Sequence, residues 1–498
     1  MVSSNLAHKL DNENTIDVET NDISLKWCSV SLSDVIFRGK RLEASVFDVE
    51  AKQARQIIKN SKFPSTTIGG ENGLTTSYTC ARFKRIWLEH SDFPIYQPST
   101  IVDIKPKPDG YISHLTKTNI ENLRVKKGQI LMTCSGTIGK VSYVSDTLKN
   151  KIFSHDLLRI NCKNTVDQGY VYAYLKSKVG NKILLTNSYG AVITHIEPEH
   201  LATIPIPDAP KEIKERIHNL IVESFKLRDE SNELIDQATT LLIDELKLPP
   251  ISEFKQNNIK NSANVNAFSV KLSDLNGRAD ASYHLPIVDA IIKHLEQYSA
   301  EVTTISDNRI SSDVVLPGRF KRVYVNSEYG VKFIGGKEMK QLDPSSEKYI
   351  SKKAHAKQLE GALGIKEYSI LTPARGSLGE VVMPCKHFYN WAISDNMMQI
   401  LSNSKICGYL YIFLNSEYGK ILIQHFTYGG VIDAIEPWHI QQIQIPLLKN
   451  QIIQNKINDL ALEANKKRYK AYLLEQEALK IMDEKVIYAK RGEKYVKL

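Results

Sequence analysis

The side chains best able to meet a polyanion lie in two matching strings, Arg82-Phe-Lys-Arg-Ile-Trp87 and Arg319-Phe-Lys-Arg-Val-Tyr324. A guanidinium fork matches a phosphate or a guanine edge, and a nearby ring anchors the segment that presents it. Arg82, Lys84, Arg85, Arg319, Lys321 and Arg322 are therefore candidate DNA contacts. The plainer alternative is a strand edge protected by charge. A second matched pair is glycine-rich: Ser135-Gly-Thr-Ile-Gly-Lys140 and Arg375-Gly-Ser-Leu-Gly379. These predict tight β-turns in which Ser135, Gly136, Thr137 and Lys140, or Arg375, Gly376 and Ser377, would cradle a phosphate. A plain hairpin turn fits them equally well.

Enzymatic chemistry finds less support. Ser135 to Lys140 lacks the upstream glycine of a phosphate loop, and Val141 follows the lysine where Ser or Thr would bind magnesium. No Gly-x-Gly-x-x-Gly opens a helix after a strand. The only Pro-Pro is Pro249-Pro250, followed by Ile251, so no segment of the base-methylating kind is present to grip a flipped adenine. Asp48, Glu50 and Lys52 are a nuclease-like trio. They fall in a helical stretch and are not repeated, which favours a solvated face. Glu197 with His200, echoed by Glu436 with His439, has metal-ligand spacing. The intervening Pro198 and Pro437 point instead to the first turn of a short helix. No catalytic or metal-binding residue is expected.

The elements that position these strings come from a duplication. Val30-Ser-Leu-Ser-Asp34 returns as Val270-Lys-Leu-Ser-Asp274, and Arg41-Leu-Glu-Ala-Ser45 as Arg278-Ala-Asp-Ala-Ser282. Tyr189-Gly-Ala-Val-Ile193 and Ile196-Glu-Pro-Glu-His200 return as Tyr428-Gly-Gly-Val-Ile432 and Ile435-Glu-Pro-Trp-His439. The order is kept and the offset stays between 237 and 240 residues. Each repeat begins with about 180 residues of mixed character, with short β-rich runs such as Gln129 to Thr133 and Ser369 to Thr372. Helical stretches intervene from Gly169 to Leu185 and from Gly408 to Ile423. Each module closes on an Ile-x-Ile-Pro strand, Ile204 to Pro207 and Ile443 to Pro446.

A long helix follows each module. No Gly or Pro occurs from Lys211 to Leu248 or from Leu447 to Arg491. Ile213, Ile217, Leu220, Ser224, Leu227, Ser231, Leu234, Ala238 and Leu241 keep the 4-3 spacing of a coiled-coil seam. Ile453, Ile457, Leu460, Ala464, Lys467, Ala471, Leu474, Ala478 and Ile481 repeat it, with Lys467 its single charged member. A helix of ~37 residues spans about 55 Å and cannot bury such a stripe alone. Homodimerisation is the plainer solution. Matching length and register favour an antiparallel pair within one chain.

The 498 residues and 56.4 kDa suit several domains. Hydrophobic residues at 42%, charged residues at 24% and a mean hydropathy of −0.28 describe a folded chain without a membrane span. Asp11, Glu13, Asp17, Glu19 and Asp22 exclude a secretory leader, and six dispersed cysteines suit reduced thiols in a cytoplasm. The net charge of +9 favours a polyanionic partner.

Module, long helix, module, long helix, with these local strings, resembles the specificity subunit of Type I restriction–modification systems over residues 27–486. A related Type II specificity subunit is the close alternative. The resemblance implies an α+β fold: two mixed α/β target-recognition domains in tandem, separated by two long helices that form an antiparallel coiled coil. The expected divisions are an acidic leader at 1–26, a recognition domain at 27–208, a spacer helix at 209–250 and a linker at 251–265. A second recognition domain at 266–447, a second helix at 448–486 and a basic tail at 487–498 complete the chain. The resemblance further implies a non-catalytic reader of a bipartite, asymmetric site in double-stranded DNA. Two methyltransferase subunits, and restriction subunits in the full complex, would be its partners. S-adenosylmethionine, ATP and Mg2+ would belong to those partners, with no cofactor in this chain. The family enters its helix through Pro-Leu-Pro-Pro-Leu-x-x-Gln. Pro207-Asp-Ala-Pro-Lys-Glu-Ile-Lys214 lacks that glutamine, and the second copy keeps a displaced Gln454. A stand-alone nuclease using Asp48, Glu50 and Lys52 is the competing function.

Overall fold

The computed structural model describes residues 29–489, apart from 38–39, 41–43, 191–193, 259, 263–264, 276 and 345–347. The acidic leader and the tail from residue 490 lie outside the described residues, as do 41–43 and 191–193 of the repeated strings. The chain divides into two compact units, Met1–Lys226 with Leu473–Leu498 and Leu227–Tyr472. Both divisions fall inside the long helices.

Unit 1 contains α1 (Val49–Lys59) and is built on a four-stranded antiparallel sheet. Its order is β1 (Thr75–Tyr78), β4 (Leu157–Cys162), β2 (Ile130–Thr133), β3 (Val141–Tyr143). Successive side chains of a strand point to opposite faces. Ile130, Met132, Leu158 and Ile160 thus enter the main core, while Leu131 and Leu157 enter a smaller cluster beneath the loops. Both faces are covered, which is why Ile130-Leu-Met-Thr133 is buried throughout. Against the sheet lie α2 (Thr165–Lys176) and α3 (Lys178–Thr186). The sequence suggested one helix here. Ser177 breaks it by accepting the Gly180 N–H at 3.0 Å and starting the second helix.

Unit 2 repeats the plan with a three-stranded antiparallel sheet, β5 (Asp313–Val315), β7 (Met397–Leu401), β6 (Ser369–Pro373). Helices α5 (Cys407–Asn415) and α6 (Glu417–Gln424) are broken at Ser416 in the same way. In each unit the Ile-x-Ile-Pro exit is a strand: Pro205–Pro207 pairs with Ser65–Thr67, and Gln444–Leu447 with Glu301–Thr304. The stretch expected as a linker at 251–265 is folded instead. It holds a helix, Ile251–Asn258, and a strand, Lys260–Ser262, that pairs with Val265–Ala267. Phe254 packs on Tyr418, which supplies the apolar contact a polar linker would lack.

The long helices are α4 (Lys211–Glu245) and α7 (Gln451–Ile481), the latter continued by a π-helical turn, Met482–Ile487. They touch inside each unit. Arg216 pairs with Glu477 at 3.2 Å in unit 1, and Glu230 pairs with Lys467 at 2.7 Å in unit 2. The expected seam is right at eleven of its eighteen positions. Ile213, Ile217, Ser224, Leu227, Ser231, Ala238, Ile457, Ala464, Ala471, Ala478 and Ile481 are buried, but Leu220, Leu234, Leu241, Ile453, Leu460, Leu474 and Lys467 are only partly so. The next residue takes over at each of these positions: Ile221, Ile235 and Leu242 on α4, and Gln454, Ala461, Arg468 and Glu475 on α7. The cause is a second contact surface. Ile221 and Phe225 belong to the core of unit 1, and Ile235, Leu242 and Leu246 to that of unit 2. Each helix therefore turns a broader face inward than a two-helix seam needs. The column shared by both surfaces is Ile217, Ser224, Ser231 and Ala238 with Ile457, Ala464, Ala471 and Ala478, all fully buried. Six of the eight are Ser or Ala, so neighbouring backbones can come close.

Two glycines set how each module meets its helix. A Cβ on Gly169 would lie 2.5 Å from the His218 Cα, and one on Gly408 would lie 2.3 Å from the Asn458 carbonyl oxygen. The Gly169 N–H donates to His218 Nδ1 at 3.3 Å and the Gly408 N–H to Asn458 Oδ1 at 2.9 Å. The same joint is made twice with different side chains.

Candidate nucleic-acid interface

In unit 2 the repeated strings converge. Arg322 lies in an extended segment just before the single bridge of Tyr324 to Ile350, where the Val323 carbonyl accepts from the Ser351 N–H at 2.8 Å. Its guanidinium forms an ion pair with Asp395 at 2.5 Å and sits 5.4 Å from the Phe333 ring centre. That hydrogen bond raises the arginine's pKa further. Asn396 accepts a hydrogen bond from Arg375 at 3.5 Å, and Arg375 lies 3.7 Å from Glu436. Arg375 also bridges Ala434 at the base of a hairpin whose Tyr428 O–H donates to Glu436 at 2.6 Å. Arg319, Lys321 and Ser377 are exposed beside this chain of contacts.

Unit 1 assembles the same parts. Ser135 bridges His195, and Tyr189 O–H donates to Glu197. That bond raises the Tyr189 phenol, and the charge of Arg82 opposes it. Phe83 packs edge-on to His155 at 5.5 Å, and Arg85 lies over Trp87 at 5.7 Å. Burial lowers the His155 pKa; Asp156 opposes this, while Arg85 and Arg82 add to it. Arg82, Lys84 and Thr137 are exposed, and Arg85 and Lys140 are half-buried.

The glycine turns are hairpin turns, and their amides are already used. The Gly136 N–H donates to the Thr194 carbonyl and the Gly376 N–H to the Asp433 carbonyl, each at 3.0 Å. These two amides are therefore not available to an anion, which narrows the expected phosphate cradle to the other groups of the turns. Glycine is needed for the backbone, at φ 69° and 88°. Lys140 has no cationic counterpart, since Glu380 stands at its place and holds Lys340 and Lys420.

The discarded constellations also have structural roles. Asp48 caps α1 by accepting the Ala51 N–H at 3.0 Å, and Asp48 and Glu50 both reach Lys182. Lys52 donates to the Ser29 carbonyl. Glu197 with His200 and Glu436 with His439 form capping boxes on Pro198–Ala202 and Pro437–Gln441. Among the described residues no group of three His, Cys, Asp or Glu side chains is placed to hold a metal. No described helix is long and apolar enough to cross a membrane.

Sequence reasoning missed the polar residues that tie these strings together. Ser154-His-Asp156 and Ser394-Asp-Asn396 occupy matching positions, each after a strand paired in parallel. Aligning the repeats through this weaker stretch would have found them. Beneath them Arg159 is fully buried and donates to the carbonyls of Leu157, Leu123 and Phe153 at 3.1 to 3.2 Å. Gln399 takes its place in unit 2 and donates to Ala362 and Gly364.

Three solved structures resemble the chain at low identity. The S subunit of a Type I restriction–modification system from M. genitalium shares 14% identity, covering 88% of this chain and 98% of its own, with a TM-score of 0.29. A structure described by complex assembly and conformational transition of the Type I system shares 13%, covering 84% and 98%, with a TM-score of 0.25. The HsdS subunit from Thermoanaerobacter tengcongensis shares 12% over the same shares, also at 0.25. No curated protein sequence matches the chain. The family model named Type I restriction modification DNA specificity domain matches residues 75–237, from β1 through most of α4.

Proposed function

We propose that the chain is the DNA-reading, non-catalytic subunit of a restriction–modification complex, and that each module reads one half of a bipartite, asymmetric site. The observation that carries this is the convergence, in the second unit, of the arginine string, the glycine turn and the tyrosine hairpin on one set of contacts, of which the first unit repeats the Ser135–His195 bridge and the Tyr189–Glu197 bond. Direct base contacts need side chains that reach past the phosphates, and Arg319, Lys321, Arg82 and Lys84 are exposed to do so. The pairing of low numbers on α4 with high numbers on α7 supports an antiparallel coiled coil as the spacer. The outer faces of the two helices are where two methyltransferase subunits dock, and restriction subunits join through them. S-adenosylmethionine, ATP and Mg2+ act in those partners.

The nuclease alternative loses its residues to the α1 cap and to Lys182. Purified chain, incubated with Mg2+ and supercoiled plasmid, distinguishes the two. The adaptor retards the plasmid at low salt and leaves it supercoiled; nicked or linear product that disappears in Asp48→Asn would establish the nuclease.

A further inference from the structure

The tyrosine hairpin of unit 2 has a feature that folding does not require. Its base is fixed by Tyr428 N–H to the Ala434 carbonyl at 3.0 Å and Ala434 N–H to the Tyr428 carbonyl at 2.8 Å. Gly429 turns the chain at φ 112°, where a Cβ would meet the Ile432 carbonyl at 2.5 Å. At the tip Val431 is 100% exposed and Ile432 62% exposed. Two aliphatic side chains on a narrow, braced tip gain nothing from water. The first repeat has the same pair in sequence, Val192-Ile193.

The surroundings say what the tip meets. Arg375 stands at the hairpin base and Arg322 follows through Asn396 and Asp395, so the tip rises beside the ion-paired arginines assigned above to DNA. The exposed carboxylate of Asp433 beside it repels phosphate. An apolar tip held away from the backbone, with arginines at its flank, suits the interior of a groove. We infer that Val431 and Ile432 form an apolar wedge that enters DNA between two base pairs and unstacks them while the arginines hold the phosphates. This rests on the DNA-reading function proposed above and adds a distortion to it. Steps that unstack easily, pyrimidine followed by purine, would then be favoured at a position no polar side chain reads.

The test uses the full chain without partner subunits. Duplexes enriched by it from a randomised pool are probed with permanganate for unstacked thymines and with diethylpyrocarbonate for unstacked purines. The wild-type chain should produce hyperreactive bases at one fixed position relative to the enriched motif. Val431→Ser with Ile432→Ser should abolish them and weaken binding about tenfold, with an unchanged salt slope because no charge is removed. An unchanged thermal midpoint confirms that the variant is folded. Absence of hyperreactive bases with the wild type, or their persistence in the variant, overturns the wedge. So does, in a separate co-expression with the methyltransferase subunits, a variant that keeps the footprint and loses only their co-purification, because the tip then serves a protein partner. If no duplex is enriched, the DNA-reading function itself fails, and the wedge with it.

Discussion

At one position of the repeated framework the first unit buries Arg159 and the second buries Gln399. Both donate to loop carbonyls and so tie these loops to the sheet. The difference extends outward. In the second unit Arg322 is neutralised by Asp395, whereas the matching Arg85 faces His155. It extends inward too. Glu475 is fully buried on α7, accepts from Tyr172 and pairs with Lys176 at 2.9 Å. The repeat-related positions are Ile235 opposite Tyr411 and Asn415. Two copies of one fold thus keep their geometry through glycine joints, caps and the bonds from Tyr170 to the Pro207 carbonyl and from Tyr409 to the Pro446 carbonyl, and have diverged in charge. The joints tell what the fold requires, and the charges tell what each copy does.

The largest effect is expected at Glu475. Glu475→Leu leaves Lys176 and Tyr172 facing apolar surface and should cost about 3–5 kcal/mol, read by urea unfolding. Asn415→Ala, at the lysine's place in the second unit, should stay within about 1 kcal/mol. Equal costs at the two sites would erase the inward difference. Gly169→Ala and Gly408→Ala test what the copies share. Each new methyl group meets helix backbone, so each should cost about 2–3 kcal/mol, and a harmless substitution at either would show that the joints are not equivalent.

Acid should separate the units next. Burial holds His387, His425 and His439 of the second unit at a pKa of about 4, with the charge of Arg278 adding to the effect at His425 and His439. An unfolded histidine titrates near about 6.5, so between the two values the unfolded chain binds more protons. Stability from these groups is complete above about pH 6.5 and falls as the pH drops towards 4. In the first unit His155 and His218 are shifted in the same direction. Hydrogen exchange resolved by unit should therefore show the second unit losing protection first; loss in the first unit alone would contradict the assignment. The smallest effects belong to the surface. Arg319→Ala with Lys321→Ala should flatten the salt dependence of DNA binding, by about one unit of slope for each phosphate that is no longer neutralised. Asp395→Asn should release Arg322 and tighten binding a few-fold. Weaker binding would mean that Asp395 itself meets DNA.

The duplication, the two long helices and the arginine strings were legible because they depend on residue type repeated at fixed spacing. The seam was misplaced by one residue at alternate positions, since periodicity along one helix does not reveal that Ile221 and Ile235 must also fill module cores. The glycine turns were found, but their amides could not be known to be occupied before Thr194 and Asp433 were placed beside them. His155, Asp156, Asp395 and Asn396 were missed because they match in position but not in type, and the eye follows type.

The central claim is that two charge-diverged copies of one reading head address two separate half-sites. Selection of duplexes from a randomised pool by the full chain, then by Arg82→Ala with Lys84→Ala, tests it most directly. The account predicts an asymmetric motif of two specified blocks separated by an unspecified gap, with the variant relaxing one block and leaving the other intact. A single contiguous motif, or equal relaxation of both blocks, would contradict it.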